Sequence, residues 1–245
     1  MRRDVQAIVL ILVGGAVLRI SLGDAYLNYV KDNMRIWLIL SGAALVLLGV
    51  LALIDVLRKG RAAGAEETPH DEPHEHDDGH GHGHGGPRSA WLLLLPVLAI
   101  FLIAPPPLGA YAAARDATNG VQPREAKAPP LPEGDPVPLS VSGYVGRAVW
   151  DDGFTLDGRT VQMTGFVTPN EDGSWWLTRL AISCCAADAL AYKIQPLEVE
   201  DLPANTWVTV TGHWVPGGGT KSDTAIPLLV VDSLEQVAQP ANPYE

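Results

Sequence analysis

The chain is short of cysteine, of basic charge in its C-terminal half, and of any catalytic signature. Two cysteines in 245 residues exclude a disulfide-stapled scaffold of the small secreted kind. Residues 129–245 carry five Lys/Arg against fifteen Asp/Glu. So acidic a half has no basic face for a phosphate backbone, and nucleic acid is excluded as a partner. No P-loop, HExxH, nucleophile elbow or dinucleotide fingerprint is present. Asp151-Asp152 precedes Gly153 and reads as a turn rather than an acid/base pair. No enzyme is expected, and no catalytic residue is assigned.

What the chain does have is long apolar runs, and they crowd its first half. Val5–Leu22 and Ile36–Leu57 are nearly free of charge, and a third run starts at Trp91. A spanning helix needs roughly 20 such residues. The expected organisation is a transmembrane helical hairpin over 1–58 and a loop over 59–89. A third transmembrane helix over 90–114 and a Pro-rich linker over 115–138 follow. A β domain over 139–238 and a tail over 239–245 complete the chain. No small-x-small cleavage site follows the first run, and a second span comes soon after, which argues against a cleaved signal peptide.

Basic residues set the orientation of spans. Arg2 and Arg3 precede the first run, and Arg58, Lys59, Arg61 and Arg88 flank the 59–89 loop. The N-terminus and that loop are therefore expected in the cytoplasm. An odd number of spans puts the β domain outside.

The expected fold class is membrane α plus all-β, with three transmembrane helices ahead of an OB-like five-stranded β-barrel. Thr160–Val167, Trp175–Ser183 and Thr206–Trp214 alternate apolar and polar residues, Ile226–Val231 is a short apolar run, and Gly143, Gly153, Gly158 and Gly173 read as turns. One helical stretch is expected at Ala186–Tyr192, between the third and fourth strands, as in a Greek-key barrel of this type.

Two tracts carry metal-ligating side chains. HDEPHEHDDGHGHGHGG holds His70, His74, His76, His80, His82 and His84 at spacings of two and four, with carboxylates and glycines between. Imidazole and carboxylate together suit divalent metals such as zinc or copper. The flexible glycines let the ion choose the geometry. The second tract is ISCCAADA, with Cys184 and Cys185 adjacent. Strand neighbours face opposite sides, so both thiols reach one ligand only if the strand ends at Ser183. Ser183 is then expected to cap a helical turn that sets Cys185 and Asp188 on one face. Three readings stay open: a thiolate metal site with Asp188 and His213, a redox-active vicinal pair, and two packed structural cysteines.

GFV at 165–167, TRLAISCCAADA at 178–189, W-V-x-V-x-G at 207–212 and a final NPYE, placed after apolar runs and a His-rich loop, resemble the YcgQ-like family of bacterial permease subunits. The resemblance runs along nearly the whole chain. It implies a bacterial membrane protein that works beside a multi-span permease, and a link to metal or metalloid export. It places Cys184, Cys185 and Asp188 on signature positions without giving them a role. The expected function is an accessory subunit that assists divalent-metal handling. A thiol-redox or envelope-stress protein and a pure docking module are the alternatives.

Overall fold

The computed structural model describes residues 3–63, 106–116, 118–120, 128–151 and 153–245. They divide into two compact units, one holding the N-terminal helices, the other Leu27–Asp32 together with the chain from Pro106 onward.

The first unit is a pair of apolar helices, α1 (Arg3–Leu22) and α2 (Arg35–Ala63). Each is long and apolar enough to cross a membrane. Their contact face is built from small residues at heptad spacing: Ala7, Gly14 and Ser21 on α1, Gly42 and Gly49 on α2. A methyl group on Gly14 would meet the Gly42 carbonyl at 2.8 Å, and one on Gly49 would meet Ile11 at 2.7 Å. Small residues let the two backbones close up, which is how helices associate where lipid removes the hydrophobic drive. Arg35 closes the α1 end, with Nε on the Ser21 carbonyl at 3.1 Å and Nη2 on that of Leu22 at 3.2 Å. Leu12, Trp37, Leu40, Leu47 and Leu51 stand exposed on the outer faces.

The second unit is a closed five-stranded barrel. Its walls are β2 (Thr160–Pro169), β3 (Trp175–Ala181), β4 (Leu190–Leu197), β5 (Trp207–Val215) and β6 (Leu228–Gln236), with a two-residue β1 (Val137–Pro138) beside β2. The order β2-β3-β4-β6-β5 closes through β2–β5. Only β4–β6 within the barrel is parallel; the other pairs are antiparallel. This is the OB-like arrangement expected from the alternating pattern. Two glycines permit close wall contacts. A Cβ at Gly165 would meet the Thr178 carbonyl at 2.7 Å, and one at Gly212, beside the β5–β6 bulge, would collide with that of Val230.

Four expectations change. Gly143 lies not in a turn but in helix α4 (Val141–Trp150). Its apolar residues recur at helical spacing, and Val141, Tyr144, Val145, Ala148 and Val149 are buried in the barrel core. Ser140 caps it, accepting the Gly143 N–H at 3.0 Å. The stretch Ala186–Tyr192 is a 3-10 turn over Ala186–Asp188 followed by β4, and it connects β3 to β4. Tertiary pairing with β3 overrides local helix preference there.

Of the expected third span, 90–105 lies outside the described residues. Residues 106–114 belong to the β unit, where the short helix α3 (Ala110–Arg115) buries Ala110 and Ala113 against Phe166, Leu180 and Tyr244. Finally, the described parts of the linker are strapped to the barrel rather than free. Arg147 donates to the Pro129 carbonyl, Arg159 to those of Pro132 and Gly134, and Asn119 is buried. The tail is tied as well, through a parallel bridge of Tyr244 to Leu180.

Candidate metal centre

Strand β3 ends at Ala181, and the chain turns before β4 starts at Leu190. The turn is closed by Asp188, whose carboxylate folds back over it. Oδ1 accepts the Ser183 N–H and Oδ2 the Cys184 N–H, each at 2.8 Å. Asp188 N–H in turn donates to the Cys185 carbonyl at 3.0 Å. The cap is therefore Asp188 acting backwards, not Ser183 acting forwards. Cys185, extended at φ −154° and ψ 168°, is the residue on which the 3-10 turn starts.

This fold-back turns both thiols to one side. The Sγ atoms of Cys184 and Cys185 lie 3.6 Å apart, and both thiols are free. Ligand atoms of Cys184, Cys185 and Asp188 all lie within 4.8 Å of one another. Two thiolates at the usual Zn–S distance of about 2.3 Å on a tetrahedral ion stand about 3.8 Å apart. The sulfurs thus need little movement to share one ion. Cys184 is exposed and Cys185 half-buried, so the site opens to solvent and a fourth position is free for water or a further ligand.

The Asp188 carboxylate and the Cys184 thiol set one another's charge state. Donation of the Cys184 S–H to the carboxylate of Asp188, then its contact with Cys185, pushes the Cys184 thiol up to about 12. The same Cys184 contact, with the backbone N–H groups of Cys184 and Ser183, holds Asp188 down at about 2. An anion already sits in the site, and the neighbouring thiol stays protonated beside it. A divalent ion held by these residues would reverse that balance by replacing the thiol protons.

A second segment flanks the turn, one that sequence gave no reason to place there. Val30 and Cys185 form an antiparallel bridge. Lys31 N–H donates to the Cys184 carbonyl at 3.1 Å, and Ala186 N–H to that of Tyr29 at 2.7 Å. Lys31 Nζ reaches the Ile182 carbonyl at 3.3 Å. Pairing between residues some 150 positions apart leaves no local pattern to read.

The structure brings together three of the expected ligands and leaves out His213. That residue sits on β5 opposite Thr160, with Nδ1 3.4 Å from Asp232 Oδ1. It is outside the thiol cluster because it lies on the barrel wall, while the cysteines lie in a connection. His70, His74, His76, His80, His82 and His84 lie outside the described residues.

Residues 151–245 match the family model described as the DUF1980 C-terminal domain. The match takes in the barrel walls β2 to β6, the Cys turn and the tail. No curated protein and no solved structure matches the chain.

Proposed function

We propose that this protein is a membrane-anchored, non-enzymatic accessory subunit of a multi-span permease, and that its β unit handles a divalent metal such as zinc or copper. The observation that carries the metal reading is the convergence of Cys184, Cys185 and Asp188, with sulfurs 3.6 Å apart, on an exposed turn. Softness of the thiolates favours zinc or copper over magnesium or calcium. The permease partner rests on the sequence resemblance alone. The His tract would gather the same ion on the cytoplasmic side.

Sidedness has independent support. Leu27–Asp32 joins α1 to α2, yet it belongs to the β unit and pairs with the Cys turn. If α1 and α2 each cross the membrane, this connector lies on the side opposite both Arg2-Arg3 and Arg58-Lys59. The β unit then shares the connector's side, outside the cytoplasm.

Calorimetric titration of the reduced full chain in detergent with zinc tests the metal reading. A thiol-dependent site, lost in a C184S/C185S variant and tighter than about micromolar (about −8 kcal/mol), supports it. Indifference of the zinc isotherm to that double substitution overturns it. The adjacent free thiols also favour a second reading, a dithiol–disulfide pair. Isolation with a stable Cys184–Cys185 disulfide and no thiol-dependent zinc binding would select it.

A further inference from the structure

On another part of the β unit, the N-terminus of α4 opens into a polar cleft of about 450 Å³. Ser140, Gln162, Thr164, Arg179 and Glu245 line it. The first amides of a helix are unsatisfied donors, and they attract anions. Here Glu245 supplies one from within the chain. Its Oε1 accepts the Val141 N–H at 2.8 Å and its Oε2 the Ser142 N–H at 3.0 Å.

The opposite wall of the cleft is not satisfied in this way. Arg179, on β3, is only 8% exposed. Nη2 donates to the Asn242 carbonyl at 2.8 Å, and the guanidinium lies 4.8 Å from the Trp207 ring centre. Nε and Nη1, both closed off from solvent, have no hydrogen-bond partner among the described residues. A buried guanidinium with idle donors is costly, and one that lines a cleft offers a planar fork for an oxyanion. The neighbouring negative charge that acts on Arg179 is Glu245, but its two oxygens are engaged by the helix amides.

We propose that this cleft is a binding site for a small oxyanion, held between the idle Arg179 nitrogens and the α4 amides, with the Glu245 side chain as its resident competitor. Backbone pairing keeps residue 245 in place independently of its side chain, since its N–H donates to the Leu180 carbonyl and its own carbonyl accepts from Ile182. The side chain alone has to swing aside. Ser140 and Thr164 also line the cleft, their hydroxyls bonded to the Gly143 N–H and to Thr209 Oγ1.

The test uses inorganic phosphate on the full chain in detergent, by calorimetry and thermal shift, against chloride of equal ionic strength. E245Q removes the competing charge and should bind phosphate at least about tenfold more tightly than the unaltered chain. Adding R179K should reverse that gain, because a point charge replaces the fork. V141P provides a second probe that leaves Arg179 alone. It deletes one helix amide at the position where proline is tolerated, after an extended Ser140, and should weaken phosphate in the E245Q background. The proposal is overturned if E245Q binds phosphate no better than the unaltered chain. It is also overturned if folded R179K or V141P derivatives bind as well as E245Q.

Discussion

Asp188 carries two tasks with one carboxylate. It closes the β3–β4 turn through two backbone N–H groups, and it offers an anionic oxygen beside two thiols. D188N should therefore act in opposite directions on two readouts. Zinc affinity should fall by at least about tenfold, roughly 1.4 kcal/mol. Alkylation of Cys184 at pH 8 should become several-fold faster, because the charge that raises its thiol is gone. Calorimetry and timed iodoacetamide labelling would check both. Tyr144 makes a second residue-scale case. It is buried, burial raises its phenol above the ordinary value, and its hydroxyl donates to the Leu228 carbonyl at 2.5 Å. A phenol raised by folding gives its full stabilisation below the unfolded value of about 10 and loses it as pH climbs through the folded one. Denaturant midpoints should thus decline above about pH 10, and less steeply in Y144F. At pH 7, Y144F should cost about 1 kcal/mol for the lost hydrogen bond. At this scale much was legible. The glycines of GFV and W-V-x-V-x-G stood out only as motif positions; in the fold their missing side chains let strand walls close. Cys184, Cys185 and Asp188 were legible too, because their spacing is local. His213 was not, because a strand residue's neighbours are set by sheet register, which sequence spacing does not fix.

Among elements, β4 and β6 pair in parallel only from Gln195 and Leu228 onward. Before that point the wall is completed by Asn119 from the 118–120 segment. Its Nδ2 donates to the carbonyls of Lys193 and Ala225, and its Oδ1 accepts the Lys193 N–H. It works as a one-residue filler strand and is 1% exposed. N119A should cost about 3 kcal/mol, about 1 for each lost partner, read as a shifted denaturant midpoint of the barrel transition. Alternation identified β2, β3 and β5; burial follows it in β5 and the first half of β2, whereas Leu177 to Leu180 of β3 are all buried. The same rule missed β4, whose LAYKIQPL mixes a buried Lys193 and a Pro196 into the strand. Lys193 is held there by the Asp116 carbonyl and lies 5.1 Å from the Trp176 ring centre, contacts no local pattern announces. Helix α4 was missed for the opposite reason. Gly143 suggested a turn, while the burial of the helix's 3.6-period face outweighs the cost of Gly143 and Gly146.

For the whole molecule, the pairing of the thiol turn with the connector between two candidate spans is the feature that matters most. The hairpin was plain from hydropathy, since 20 apolar residues leave few alternatives. The docking of Leu27–Asp32 against the Cys turn was not, yet it is the feature that bears on sidedness. The Cys184–Cys185 turn, the proposed metal site, is the stretch of chain that pairs with residues 29–31. A membrane-impermeant maleimide on reduced, intact spheroplasts, with and without zinc, addresses both halves of this picture at once. The account predicts labelling at Cys184 from outside, with zinc protecting the thiols and the protection weakened in D188N. Labelling seen only after lysis, or labelling that zinc leaves unchanged, would contradict it.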